Sequence, residues 1–122
     1  MMWEIEFHTA FELEYVAFEP VVQDALLAVA KLLRDFGPQL ARPHCDTLKG
    51  SRYSNMKELR FEALDGEWRA AFAFDPQRRA IVLVAGDKSG GSQKRFYDRL
   101  IAKADLRFSD HLESLKSAKK GK

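Results

Sequence analysis

The chain has 122 residues, of which 46% are hydrophobic and 31% charged, with a net charge of +2; this composition is typical of one soluble domain and unlike that of a disordered chain. No apolar run approaches the roughly 20 residues needed to cross a bilayer, and the opening lacks the pattern of a signal peptide, so we expect a cytoplasmic protein without a membrane partner. The single cysteine, Cys45, permits neither an intramolecular disulfide nor a cysteine-based zinc site.

The first third of the chain predicts a strand and two helices. Apolar and polar residues alternate over residues 3–8, which is the pattern of a half-buried strand. From Pro20 to Phe36 the apolar residues are spaced by three and four positions, which predicts a helix that a Gly-Pro pair ends. A shorter helix over residues 11–18 completes a helical hairpin. Residues 37–55 have no sustained period and predict an irregular connection.

A hairpin follows, with Asp65-Gly66 as the signal for a two-residue type I′ turn. This turn predicts that Glu62 lies opposite Arg69 and that Arg60 lies opposite Ala71. The residues that share the apolar face are Leu59, Phe61, Trp68, Ala70, Phe72 and Phe74. The residues that share the other face, which we expect to be open to solvent, are Glu58, Arg60, Glu62, Arg69, Ala71 and Ala73.

The last third predicts a central strand and a long helix. Residues 80–85 are apolar without alternation, as in a strand that is buried on both faces. After a Gly-rich loop, a helix runs from about Ser92 to beyond Leu115. We expect an α+β domain over residues 1–116, with an N-terminal strand, a helical hairpin, an antiparallel three-stranded meander and a C-terminal helix, and a flexible lysine-rich tail over residues 117–122. The helices are expected to pack on the apolar face of the sheet.

Charge is distributed unevenly along the chain. Residues 1–36 contain seven acidic and two basic residues, a net −5, whereas residues 37–122 contain 11 acidic and 18 basic residues, a net +7. A basic half is commonly a solvated surface, and it is also the pattern of a protein that binds a polyanion. The composition leaves both interpretations open.

Arg60 and Arg69 are the strongest candidates for chemistry on the predicted open face. The small residues Ala71 and Ala73 beside them would leave a shallow concavity in which a phosphate could bind two guanidinium groups. The alternative is that both arginines form only cross-strand ion pairs with neighbouring glutamates. Metal ligands do not cluster, because the adjacent residues 44–46 cannot form a chelating site by themselves.

The segment over residues 47–105, about half of the chain, resembles the RelE/ParE superfamily of bacterial toxins, and in particular its HigB-like, phage-derived branch. The motifs that carry the resemblance are KELRF, a Gly-x-Trp-Arg return after the hairpin turn, FAFDP, and a central strand ending in GDKSG. The resemblance implies a RelE-like fold. It also implies the toxin of a type II toxin–antitoxin system, a metal-independent endoribonuclease without a cofactor that cuts mRNA on the ribosome and is held inactive by a cognate helix-turn-helix antitoxin.

Two other functions stay open beside this one. ParE-like toxins share the fold and inhibit DNA gyrase without cutting nucleic acid. A non-catalytic module would bind nucleic acid through its basic face, with an affinity that falls steeply as salt is added.

The resemblance also assigns residues to a site. Arg69 matches the family's arginine on the strand after the hairpin turn, Lys88 matches a cation that follows the central strand, and Tyr97 matches a tyrosine near the last helix. Relatives carry two lysines where this chain has Met56 and Glu58, so Glu58 becomes a candidate for the general base, and the identity of the acid and base stays open. The predicted catalytic set is Arg60, Arg69, Lys88, Tyr97 and Glu58, and the predicted RNA-binding set is Lys49, Arg52, Lys57, Lys94 and Arg95.

Overall fold

The computed structural model describes residues 2–120 as a five-stranded sheet covered by three helices. The strands are β1 (Glu4–Phe7), β2 (Cys45–Thr47), β3 (Lys57–Ala63), β4 (Gly66–Phe74) and β5 (Arg79–Asp87). The helices are α1 (Thr9–Ala17), α2 (Pro20–Phe36) and α3 (Gln93–Lys120), and a short 3-10 turn, Gly37–Gln39, follows α2. The predicted order of an N-terminal strand, a helical hairpin, a meander and a C-terminal helix is confirmed.

The strand order across the sheet is β1-β5-β4-β3-β2. β3, β4 and β5 form the predicted antiparallel meander, and β1 pairs in parallel with the first half of β5. The segment predicted as irregular contains β2, a three-residue strand that pairs with the start of β3. Its punctuation by Gly, Pro and Ser masked this strand, which is too short to show a period of its own.

Pro20 and Gly37 set the ends of α2 as predicted. Pro20 occupies the first turn, where no helical N–H bond is lost. Gly37 has φ of +56°, and a Cβ atom there would lie 2.7 Å from Cε2 of the Trp3 indole. Both the conformation and the close approach require glycine, so the end of α2 is fixed against the N-terminal segment.

The predicted register of the β3–β4 hairpin is wrong by two residues. Leu64 and Asp65 form the turn with φ of +52° and +58°, so Arg60 lies opposite Arg69 and Glu62 lies opposite Glu67. Gly66 is needed for another reason than its φ, because a Cβ atom there would lie 2.7 Å from Cγ of Asp87. A shift by two leaves the faces of both strands unchanged, although it changes every partner.

The sheet has a hydrophobic core on each face, whereas we predicted helices on one face alone. α1 and α2 cover the face that carries Leu59 and Phe72. α3 covers the opposite face, where Ala71 and Ala73 are fully buried against it. These alanines therefore make room for a helix. The prediction that they leave a concavity for a phosphate is wrong. A strand that is apolar on both faces, such as β5, requires cover on both.

A bulge in β5 changes which of its residues face α3. Ala71 pairs with Val84 and Phe72 pairs with Val82, so Leu83 has no partner residue on β4. Its carbonyl oxygen accepts a 2.8 Å hydrogen bond from Nη1 of Arg107 on α3. The extra residue shifts the alternation of the strand by one position, so the residues after Leu83 face the opposite side from that predicted by a regular strand.

α3 continues to Lys120, four residues past the predicted domain end at 116, and the predicted tail residues 121–122 lie outside the described residues. Along the chain from residue 2 to 120, none of the helices is both long and apolar enough to span a membrane.

Candidate active site

Two arginines and one glutamate form the centre of the candidate site on the α3 face of β3 and β4. Arg60 and Arg69 are directly opposite each other, which would be unfavourable without an anion between them. Glu58 supplies that anion: its Oε2 lies 3.5 Å from Arg60 Nε, and its Oε1 lies 3.8 Å from Arg69 Nε. Glu58 is 4% exposed and Arg69 is 7% exposed, so the charges interact with little screening.

The guanidinium groups retain unused donors although their charges are compensated. Within residues 2–120, neither Arg60 Nε nor Arg69 Nε has a hydrogen-bond partner, and both atoms are buried. Arg69 is oriented by a hydrogen bond of 2.9 Å from Nη1 to the Trp68 carbonyl. Both Nε atoms face Glu58 and are covered by protein, so the Nη side of each guanidinium group is the part that is left for an anionic ligand.

Tyr97 reaches this cluster from α3. Its hydroxyl donates a 2.9 Å hydrogen bond to Glu58 Oε1. Burial raises the pKa of Tyr97, the hydrogen bond to Glu58 raises it further, and Arg69 lowers it in part. The phenol is therefore neutral at physiological pH and acts as a donor to the carboxylate.

Lys88 also belongs to the cluster, and the bulge in β5 places it there. The Lys88 N–H donates to the Glu67 carbonyl at 2.8 Å, so the two residues are opposite each other across β5 and β4. Lys88 Nζ lies 3.7 Å from Glu67 Oε2, and Arg69 Nη2 lies 4.0 Å from Glu67 Oε1. Glu67 therefore lies near both cations, whereas the predicted register makes Glu62 the cross-strand neighbour of Arg69.

A cavity of about 540 Å³ opens over the two arginines. Its lining residues are Pro43, His44, Arg60, Phe61, Glu62, Glu67 and Arg69. His44 is exposed, and its backbone carbonyl accepts a 2.8 Å hydrogen bond from the Arg60 N–H. The cavity thus combines two guanidinium groups with an imidazole, which is the side chain best suited to proton transfer near neutral pH.

The predicted RNA-binding residues do not all lie near this cavity. Lys57 is opposite Phe72 on β4, so its side chain leaves the sheet on the α2 face, away from the arginines. Lys94 lies in the first turn of α3 and pairs with Asp98 at 2.8 Å.

The other three predicted RNA-binding residues border α3. Arg95 is in its first turn, where it lines a second groove. The Arg52 N–H donates to Asp105 of α3 at 3.0 Å. Lys49 is exposed and precedes Gly50, where a Cβ atom would lie 3.5 Å from Ile101, one helical turn from Tyr97.

The adjacent residues 44–46 lie in different surroundings and do not form one site. Cys45 is buried in the core under α2, and burial raises the pKa of its thiol. Asp46 pairs with Arg42 at 2.6 Å. No group of three metal-ligating side chains is present in the part of the chain that the structure describes.

Sequence reasoning missed two residues of this site, Glu67 and His44. The predicted register pairs Glu67 with Leu64, whereas the turn at Leu64 and Asp65 pairs it with Glu62. His44 lies in a segment without a period, and the pairing of β2 with β3 brings it beside Arg60. No local pattern around either residue indicates a site.

The sheet order, the two-sided helical cover and the cationic site define the RelE-like toxin fold. The free-state structure of a double-arginine mutant of Escherichia coli toxin RelE superposes with a TM-score of 0.59. The superposition covers 84% of this chain and 97% of that one at 12% sequence identity, so it supports the fold alone.

The family is shown by sequence. Residues 14–109 match the family described as Phage derived protein Gp49-like (DUF891), and the chain belongs to it. It is 42% identical over 97 residues to "Putative toxin HigB2" of Mycobacterium tuberculosis and 44% identical over 95 residues to "Putative toxin HigB3" of the same organism. The matches cover 79% and 75% of this chain. They span 48% of the HigB2 sequence, about half of its length, and 81% of the HigB3 sequence.

Proposed function

We propose that the protein is the toxin of a type II toxin–antitoxin system and that it is an endoribonuclease that cuts mRNA. The observation that carries the proposal is the pair of opposed arginines that line an open cavity. The names of its relatives, "Putative toxin HigB2" and "Putative toxin HigB3", support the toxin part of the proposal. We further propose that the message is cut on the ribosome and that the cognate antitoxin has a helix-turn-helix domain.

The chemistry of RNA cleavage fits this arrangement. The ribose 2′-oxygen attacks the adjacent phosphorus as a base removes its proton, and the bond from phosphorus to the 5′-oxygen breaks as an acid protonates that oxygen. The products are a 2′,3′-cyclic phosphate and a 5′-hydroxyl. Negative charge on the phosphoryl oxygens grows in the transition state, and donors that are already in position stabilise it most effectively. Arg60 and Arg69 supply those donors, and Lys88 adds a third cation beside them.

Proton transfer is assigned to His44. It lines the cavity with both arginines and is open to a bound ligand. A side chain that exchanges protons near neutral pH contributes most as an acid or base. Tyr97 is a weaker candidate for either role, because burial and Glu58 raise its pKa above the ordinary value.

Glu58 fits a positioning role better than the role of general base that the sequence suggests. Its carboxylate is nearly fully buried, lies outside the cavity lining, and is held by Arg60, Arg69 and Tyr97. A group without access to the 2′-hydroxyl is poorly placed to remove its proton. The carboxylate instead holds two like charges next to each other on the α3 face of the sheet.

The test is inducible expression of the wild type and of Arg69→Ala, with mapping of the 5′ ends of cellular RNA. Arg34→Ala is the matched control, because Arg34 is exposed on α2, across the sheet from the site. Thermal denaturation of each purified variant reports whether it is folded, and Arg60→Ala provides a second variant at a more exposed position.

New cuts within coding regions that vanish in Arg69→Ala and Arg60→Ala but persist in Arg34→Ala would support the ribonuclease. Growth arrest with intact message would reject it in favour of inhibition of DNA gyrase. RNA binding by the purified protein, with neither cuts nor arrest, would reject it in favour of a binding module.

A further inference from the structure

A second groove, of about 380 Å³, runs along the first half of α3 beside the end of β5. Three of its lining residues, Arg95, Arg99 and Lys103, are spaced by four positions and form one stripe on the helix, with a cation about every 6 Å. At about 100° per residue, Tyr97 projects from the other flank of α3. The groove is therefore distinct from the cavity over Arg60 and Arg69. We call it the α3 groove.

The cations of the α3 groove are exposed and unpaired. Among residues 2–118, whose side chains the structure describes, neither Arg95, Arg99 nor Lys103 forms an ion pair, whereas the neighbouring Lys94 and Arg107 of the same helix do. Three uncompensated charges along a concave surface attract a polyanion, and walls of low dielectric strengthen the attraction. The unused charge thus points to a ligand with repeated negative groups.

Continuity with the site favours RNA over an acidic protein segment. Lys88 lines the α3 groove and also contacts Glu67 beside Arg69. Gly86 lies in the floor of the groove and is the β5 partner of Arg69. A strand whose phosphate occupies the arginine pair can therefore continue past Lys88 into the groove, whose lining holds four cations and one carboxylate, Asp87.

We propose that the α3 groove binds the phosphodiester backbone of single-stranded RNA next to the cleaved phosphate. The inference rests on the proposed ribonuclease function, which it extends with a binding track that does not read the bases. Contacts to phosphates position the chain and carry no sequence information. Of the residues predicted from sequence to bind RNA, Arg95 belongs to this track, and Arg99 and Lys103 are added to it.

The experiment measures binding by fluorescence anisotropy with a labelled 2′-O-methyl oligouridylate of about 12 nucleotides, which lacks the nucleophile and stays intact. The full-length protein is compared with Arg95→Gln, Arg99→Gln, Lys103→Gln and the triple variant. Lys116→Gln is the control for charge, because Lys116 is an exposed cation farther along α3. Each titration is repeated between about 50 and 200 mM salt.

For each lost cation, the slope of log K against log salt should fall by about 0.7, so the triple variant should lose about 2. Lys116→Gln should keep the wild-type slope. A triple variant with the wild-type slope would overturn the proposal. The proposal would also be overturned if polyglutamate binds the wild type but not the triple variant and the RNA probe binds neither. That result would favour an acidic protein partner.

The two proposals fail separately. If the protein cuts mRNA and the triple variant keeps the wild-type salt slope, the ribonuclease is supported and the RNA-binding track is rejected. If the triple variant has a smaller salt slope but the wild type cuts no RNA, the RNA-binding track is supported and the ribonuclease is rejected.

Discussion

At the scale of single residues, the site owes its character to one buried carboxylate between two guanidinium groups. Glu58 offsets the repulsion between Arg60 and Arg69 and accepts a hydrogen bond from the Tyr97 hydroxyl. Removing one partner of a buried charged cluster leaves the others uncompensated and costs several kcal/mol. The same residue that neutralises the cluster therefore also determines its geometry.

Glu58→Gln should destabilise the protein by about 1–3 kcal/mol, because an amide keeps the hydrogen-bond acceptor and loses the charge. Urea denaturation at neutral pH measures the difference. The cleavage rate should also fall, with the shape of its pH profile unchanged, since Glu58 is predicted to position other groups. A variant that is as stable as the wild type, or one whose pH profile loses its acidic limb, would contradict the positioning role.

His44→Ala should lower the cleavage rate by about 10²- to 10⁴-fold, the usual contribution of an acid or base. His44 is exposed, so the variant should keep the thermal stability of the wild type. The rate of RNA cleavage by the purified variant measures the effect, and Arg42→Ala, two residues away and exposed, is the control. A His44→Ala rate equal to that of the wild type would remove His44 from proton transfer.

At the scale of elements, the site depends on how closely α3 approaches the end of β5. Gly86 permits this approach, since a Cβ atom there would lie 3.1 Å from Cε1 of Phe96. Phe96 precedes Tyr97 and packs edge-on against it, with 5.2 Å between the ring centroids. The position of the Tyr97 hydroxyl on α3 therefore depends on the small size of Gly86 on β5.

Gly86→Val should displace the first turns of α3 and lengthen the bond from Tyr97 to Glu58. Inserting methyl groups into a packed contact costs about 1–3 kcal/mol, and the cleavage rate should fall with it. Chemical denaturation and the rate of cleavage by the purified variant give the two values. Ala102→Val, at an exposed position of α3, should change neither of them. Full activity in Gly86→Val would show that the close approach is unnecessary.

The elements were largely predictable from the sequence, and their contacts were not. The spacing of apolar residues located α2, and the alternation in β3 and β4 assigned their faces correctly. The turn residue that identified the hairpin misled its register, since Gly66 is required by Asp87 and not by its own φ. Long-range contacts of this kind leave no local pattern. The site shares this limit, because residue type and the resemblance indicate its members, whereas their actual partners come from the register and the bulge.

At the scale of the whole molecule, buried polar contacts hold α3 and the sheet together near the end distant from the site. Asp75, after β4, has a fully buried side chain that accepts hydrogen bonds of 2.8 Å from His111 and 3.0 Å from Arg79. Burial opposes its ionisation, but the hydrogen bonds from His111 and Arg79 exceed that effect, and the pKa of Asp75 is lowered.

A lowered pKa in the folded state predicts the direction of the response to acid. The contribution of Asp75 to stability is complete above its unfolded pKa of about 3.9, and it is lost as pH falls through the lower folded value. Thermal denaturation between about pH 2 and 7 should show that Asp75→Asn is less stable than the wild type at pH 7 and that the gap narrows in acid. A gap that stayed constant with pH would contradict the prediction.

The bulge at Leu83 allows β5 to be one residue longer than the partner strand that it pairs with. Val82 and Val84 pair with the consecutive residues Phe72 and Ala71, so a deletion of Leu83 would leave a regular strand with the same partners on both sides, and Lys88 would stay opposite Glu67. An insertion of one residue has no such spare position and would need a second irregularity or would turn Lys88 to the α2 face. Sequences that are one residue shorter in this strand are therefore expected to keep both the architecture and the placement of Lys88.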